Sequence, residues 1–380
     1  MKTVNVGVIG GGLMGKEVAS AFGRWFALNE YPLKVELKAV CDLNVDVLKW
    51  YKQISSIELF TTDYQELLAL PKLDVIYVAL PHHLHKKYYL DVIHSGKDLI
   101  GEKPFGIDLE SAKEIVENIK GSNSFVRCCS EMPFLPGAQR VIEEVHSGRI
   151  GRIIEIKAGF YHSSDMDPLK PINWKRQSKF CGEIGVMGDL GMHVLHIPLR
   201  MGWLPTHIYA QLQKIITKRP DGLGGWSESD TWNNATLSTT VKLEDEEIPM
   251  TLEMKRLMPG ETNSWFIEIL GTEGGVKYNT KDTKALWTFK RGKEQVWQRT
   301  DLGFQVAFPT TTGLVFEPGF SDGFMQMLAA YFAEREGFLN GRFGCVTPEE
   351  ALIAHKIFQS ALVSHETKSV VKINYDHNAN

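Results

Sequence analysis

Two hydrophobic periods alternate over the first stretch of the chain. Val4–Ile9 and Val35–Cys41 read as strands, and Leu13–Ala27 between them reads as a helix. Asp74–Ala79 is a short continuous apolar run, which suits a central parallel strand buried on both faces. His83–Ser95, closed by Gly96, and Leu109–Ile119 read as helices around a short strand at Leu99–Ile100, and Phe125–Cys129 ends the unit. Beyond it the pattern changes. A helix at Val141–His146 precedes alternating stretches at Arg152–Tyr161, Ile208–Thr217, Thr236–Leu243 and Phe266–Leu270, with a tight turn at Thr272–Gly275. Late helices near Gly319–Leu339 and Pro348–His365 lead to a last strand, Val370–Asn374, and the tail Asp376–Asn380 is expected to fray.

The pattern predicts an α/β fold. Residues 1–125 form a doubly wound parallel Rossmann sheet, and residues 126–380 an α+β domain with a large, mostly antiparallel open sheet. A length of 380 residues fits two domains. Net charge is −4 with no long basic run, which argues against nucleic acid and anionic membrane as partners. The cysteines number five, an odd count, and no C-x-x-C occurs, so reduced thiols are expected. The start of the chain shows no signal-peptide pattern and no apolar run is long enough to span a bilayer, so the expected location is the cytoplasm.

Candidate chemistry begins at Gly10-Gly11-Gly12-Leu13-Met14-Gly15, which fits G-x-G-x-x-G between a strand and a helix. Gly10 permits the tight turn, Gly12 lets backbone approach a pyrophosphate, and Gly15 lets helix and strand pack closely. The second strand ends in Asp42, suited to ribose hydroxyls, and Leu43 and Asn44 offer no charge for a 2′-phosphate. The implied cofactor is NAD.

Glu102-Lys103-Pro104 directly follows the fifth strand, at the carboxyl end where open parallel sheets bind ligands. In Gly188-Asp189-Leu190-Gly191-Met192-His193, Asp189 and His193 stand four apart and share a helix face. Two glycines inside a helical run are costly unless something must approach closely. Oxidising a secondary alcohol needs a base for the hydroxyl proton, and histidine titrates nearest neutrality. A lysine ammonium near the same oxygen stabilises alkoxide charge. His193 is the candidate base and Lys103 its electrostatic partner or a shared base, an assignment the residues leave open.

These motifs, with "ALPHHLH" (Ala79–His85), "EKPFGIDLESAKEIV" (Glu102–Val116), "SGRIGRIIEIKAG" (Ser147–Gly159), "GDLGMHVLHIPL" (Gly188–Leu199) and "FIEILGTEGGVKYN" (Phe266–Asn279), resemble the Gfo/Idh/MocA family of glucose–fructose oxidoreductase, inositol dehydrogenase and rhizopine-catabolism enzymes. "TPEEALIAHKIFQSALVSHETKSVVKI" (Thr347–Ile373) resembles its last helix and strand, so the likeness spans nearly the whole chain. The resemblance implies a dehydrogenase or reductase acting on a sugar or polyol. Its catalytic residues would be Lys103, Asp189 and His193, with a cis peptide before Pro104. Cofactor contacts would be Gly10, Gly12, Leu13, Met14, Gly15, Asp42, Pro81, His85, Glu102 and Lys103. Substrate contacts would be Lys103, Glu131, Trp174, Asp189 and His193.

The chain departs from the family at Glu131-Met132-Pro133-Phe134, where Pro133 stands in place of an arginine that many relatives carry and Glu131 is the candidate to supply the missing polar contact, and at Glu183-Ile184 before Gly185. No metal is expected, since His82, His83 and His85 lack metal-ligand spacing. His196 reads as a packed helix histidine, and Asp165 and Asp167 as solvated loop acids. Relatives include NAD-dependent glycosidases that oxidise a ring carbon transiently, and reductases of non-sugars. A non-catalytic NAD-binding regulator is the further alternative, disfavoured by the intact Lys103, Asp189 and His193. A homodimer or homotetramer through the C-terminal sheet is expected.

Overall fold

A computed structural model describes residues 1–303, 306–313 and 315–375, and counts below refer to these. The expected fraying of Asp376–Asn380 lies outside them. The chain forms two compact units, Met1–Phe134 with Gln305–Glu349, and Leu135–Phe304 with Glu350–Asn380.

In the first unit, parallel strands β1 (Lys2–Ile9), β2 (Leu33–Cys41), β3 (Leu59–Thr61), β4 (Val75–Val78), β5 (Asp98–Gly101) and β6 (Val126–Cys128) lie in the order 3-2-1-4-5-6. The order reverses between β1 and β4, the place where doubly wound sheets bind ligands. The connecting helices are α1 (Leu13–Gly23), α2 (Val45–Tyr51), α3 (Tyr64–Leu68), α4 (His82–His94) and α5 (Leu109–Lys120). All four residues of β4 are buried, as its continuous apolar run predicts.

The helix expected over Leu13–Ala27 stops at Gly23 and gives way to a 3₁₀ turn, Trp25–Ala27. Trp25 leaves the helical path to bury its ring, donate from Nε1 to the Leu33 carbonyl (3.1 Å) and meet Tyr31 edge-on. The boundary expected at residue 125 also differs from the observed units. A later helix returns to the first unit, where its Phe324, Leu328 and Phe332 share one core with Val18, Phe22 and Trp25. The Tyr31 hydroxyl donates to Ala329 O (2.6 Å), and Cys128 N to Val346 O (2.9 Å). That helix reads as apolar all round, so its pattern carried no address.

The second unit holds α6 (Pro136–His146), α7 (Ser178–Cys181) and α8 (Val186–Arg200) against a nine-stranded sheet. Its strands are β7 (Ile153–His162), β8 (Pro205–Gln213), β11 (Asn234–Leu243), β12 (Glu246–Lys255), β13 (Thr262–Gly271), β14 (Gly274–Asn279), β15 (Ala285–Lys290), β16 (Trp297–Asp301) and β17 (Val371–Lys372). β9 (Lys218–Pro220) and β10 (Trp226–Glu228) form a separate hairpin. The returning helix of the first unit is α9 (Phe320–Arg335), and α10 is Pro348–Thr367. Neighbours pair antiparallel except β12 with β7. The strand expected to run to Thr217 ends at Gln213, where Asn233 Oδ1 accepts the amides of Ile215 and Ile216 and turns the chain away.

α8 is buried along all but its last residue. A Cβ on Gly191 would stand 2.3 Å from the Phe358 ring of α10, so this glycine lets two helices touch. Gly191→Ala is expected to lower unfolding stability by about 1–3 kcal/mol despite alanine's better helix propensity. Phe358→Leu in the same chain should restore part of it. Urea titrations of the single and double variants check this, and an unchanged midpoint for Gly191→Ala would contradict it.

Candidate active site

Gly10 adopts φ +97°, and a Cβ there would lie 2.2 Å from Ala79 O. A Cβ on Gly15 would lie 2.3 Å from Gly10 O, so the turn and α1 are in backbone contact. Gly12, the N-cap of α1, faces open space and no side chain caps the helix. First-turn amides without a cap beside an unfilled glycine form a seat for an anionic group. Asp42 closes the turn from the side. Its Oδ2 accepts Gly11 N and its Oδ1 accepts Asn44 N, both at 2.8 Å. This arrangement fits a dinucleotide, with the glycine turn for pyrophosphate and Asp42 for a ribose diol. Met14 packs partly on the core, whereas Leu13 is exposed.

Around Lys103 the first unit is rich in carboxyl groups. The Tyr77 hydroxyl donates to Glu102 Oε1 (2.5 Å), and the Lys103–Pro104 bond is cis, as the resemblance implies. Lys103 is half-buried. Glu131 is buried, and burial first, then the charge of Glu102, pushes its carboxyl up to about 7. Pro81 caps α4, and His85 on that helix reaches the carbonyls of Leu80 and Pro104. Among the described residues, no cluster of three His, Cys, Asp or Glu side chains could hold a metal ion. All five cysteines are buried thiols outside any disulfide. No helix of the described residues is long and apolar enough to cross a membrane.

In the second unit, α8 carries Asp189 and His193 four residues apart, as the motif predicts. His193 is buried, its ring edge-on to Phe160 (5.4 Å between centroids), and its carbonyl accepts Trp265 Nε1 (2.9 Å). Asp189 is 7% exposed. Its Oδ2 takes Nε (3.0 Å) and Nη2 (2.8 Å) of Arg256, and its Oδ1 takes Lys175 Nζ (2.9 Å). Trp174 is half-buried, with the Lys175 ammonium 5.5 Å from its ring centre.

Sequence reasoning missed Lys175 and Arg256. Lys175 stands next to Trp174 and carried a local hint, whereas Arg256 lies just past β12, 67 residues from Asp189. Asp165 overturns the expectation of a solvated acid. It is buried and paired with Arg176, while Arg219 donates to the carbonyls of Asp165 (2.7 Å) and Asp167 (2.8 Å). Burial alone would raise its pKa, but Arg176, then Arg256 and Arg219, hold it below the usual carboxylate range. His196 is fully buried.

Residues 4–128 match the model of an oxidoreductase family with an NAD-binding Rossmann fold, and residues 138–277 match the GFO/IDH/MocA C-terminal domain. The levoglucosan dehydrogenase of Pseudarthrobacter phenanthrenivorans is 26% identical over 294 residues, covering 73% of this chain and 74% of the relative. The 1,5-anhydro-D-fructose reductase of Ensifer adhaerens is 27% identical over 132 residues, 35% of this chain and 38% of the relative. Among solved structures, a levoglucosan dehydrogenase in complex with NADH and L-sorbose superposes with a TM-score of 0.88 at 23% identity, over 98% of this chain and 100% of that one. An oxidoreductase domain protein from Kribbella flavida gives 0.87 at 18% identity, with the same coverage. Two models of one family together span more than half of the sequence, and the chain belongs to the GFO/IDH/MocA family of NAD-binding oxidoreductases.

Proposed function

We propose that this enzyme oxidises a carbinol carbon of a sugar or polyol, or reduces the matching keto group. The observation that carries the reading is the buried pair on α8, His193 four residues from a carboxylate whose charge Arg256 and Lys175 compensate. NAD, when bound, takes or returns the hydride. In the oxidative direction His193 accepts the hydroxyl proton, and the Lys103 ammonium stabilises negative charge on the oxygen. Asp189, held between two cations, serves as a fixed anion that orients a hydroxyl donor rather than as a proton carrier. Trp174 offers an aromatic face to the apolar side of a sugar ring, and Glu131 contributes a carboxyl to substrate recognition. The anhydrosugar names of two relatives place anhydrosugars first in a substrate panel.

The outer face of the large sheet supports a homodimer or homotetramer. Phe266 lies on Tyr161 there (5.1 Å between centroids) beside Glu253 and Lys255, a surface of apolar and paired charged groups.

Purified protein should reduce NAD with at least one anhydrosugar, sugar or inositol, and poorly reduce NADP. His193→Ala and Lys103→Ala should each lower kcat/KM by about 10²–10⁴-fold, with NADH binding retained in His193→Ala. Activity that survives both changes would remove the assignment. Aglycone release without net NADH would point to glycosidase chemistry instead.

Glu131 sets a pH dependence of stability. Its folded pKa, about 7, lies above the ordinary 4.5, so its contribution is fully present below pH 4.5 and lost as pH rises to about 7. Glu131→Gln should flatten the decline between pH 5 and pH 8 by up to about 3 kcal/mol, read by denaturant titration at both pH values. Parallel pH curves for wild type and variant would contradict it. Phe266→Glu with Tyr161→Glu should dissociate the oligomer in sedimentation equilibrium, and an unchanged mass would locate the interface elsewhere.

A further inference from the structure

His85 is fully buried on the first turn of α4. Its Nδ1 lies 2.7 Å from the Pro104 carbonyl oxygen, and its Nε2 lies 2.8 Å from the Leu80 carbonyl oxygen. One ring therefore spans two segments distant in sequence, the turn after β4 and the peptide that follows Lys103. Packing fixes the ring plane. It stacks on Tyr89 at 5.0 Å and 16°, and the Tyr89 hydroxyl donates to the Glu102 carbonyl. The His82 ring lies 5.5 Å away on the same helix.

The chemistry of the bridge is asymmetric. A neutral imidazole has one N–H, and a cation has two. Burial pushes His85 down to about 4, and the charges of Lys103 and His83 act in the same direction against the two carbonyls. At neutral pH the ring carries one N–H and donates to one carbonyl only; donation from Nδ1 to Pro104 O ties α4 to the peptide after Lys103, whereas donation from Nε2 to Leu80 O stays within the entry to α4.

We propose that His85 is a positioning residue whose Nδ1–H, donated to Pro104 O, fastens the start of α4 and its Pro81 turn to the Lys103–Pro104 peptide, so that one buried ring sets the place of both the cofactor turn and the Lys103 ammonium. The inference rests on the roles proposed above for Lys103 and the Pro81 turn, and it can fail separately from them.

Two substitutions separate the two bonds. An asparagine amide nitrogen sits about where Nδ1 does and preserves donation to Pro104 O. A glutamine amide nitrogen sits about where Nε2 does and preserves donation to Leu80 O. The readouts are NADH Kd by fluorescence titration, the acetylation rate of Lys103 with acetic anhydride by mass spectrometry, kcat, and thermal melting. His85→Asn, which keeps the donation to Pro104 O, should stay close to wild type in NADH Kd, Lys103 acetylation and kcat. His85→Gln, which loses it, should weaken NADH binding and shift the Lys103 acetylation rate and kcat, each about tenfold, the equivalent of one hydrogen bond. His85→Phe should show the same losses. Equal losses in the Asn and Gln variants that follow melting temperature would reduce His85 to a packing residue and overturn the proposal, as would no loss in either. A wild-type protein that turns over no sugar would sink the substrate reading, while NADH binding and Lys103 acetylation still decide the clamp.

Discussion

A carboxylate taken out of water on an apolar helix needs its charge compensated, and the second unit is arranged around that need. Asp189 sits on α8 among residues that are nearly all buried. An unpaired buried charge costs several kcal/mol, more than a marginally stable domain can spare. Arg256 meets it with a two-pronged contact from just past β12, and Lys175 meets it from the 3₁₀ turn Trp174–Arg176 before α7. Each cation removed strips Asp189 of one of its two partners, so sheet, turn and helix are held in one relation. The same relation places His193 one helical turn further on, against Phe160.

A second set of buried ions extends this frame. Asp165, Arg176 and Arg219 fix the loop after β7 to the β9–β10 hairpin, where Ile172 N also donates to Pro220 O (2.8 Å). Arginine suits such positions because its planar fork binds several oxygens at once and keeps its charge when buried. In the first unit the comparable constraint is close backbone approach. Gly10 and Gly15 bring the turn against α1, and Gly12 leaves space over amides that no side chain caps.

Local signals carried much of the fold. Apolar runs marked β1, β2 and β4, the glycine turn marked the start of α1, and the four-residue spacing of Asp189 and His193 marked a shared face. Short elements went unassigned. α2, β3 and α3, between residues 42 and 73, are too brief to show a period. The return of α9 to the first unit was illegible because a helix apolar on every side points nowhere in particular. The cations around Asp189 and Asp165 were missed for a related reason. Ion pairs form between residues 11 to 67 positions apart, and no spacing rule links them.

The proposed reaction exchanges hydrogen directly between a carbinol carbon and NAD, with His193 in the proposed role of base. The direct test is a substrate deuterated at that carbon, incubated with the enzyme and NAD, with the recovered reduced cofactor analysed by mass spectrometry. The account predicts one deuterium in the nicotinamide ring per turnover and a slowed rate, with neither seen in His193→Ala. Deuterium released to water, or retained in a product formed without reduced cofactor, would contradict it.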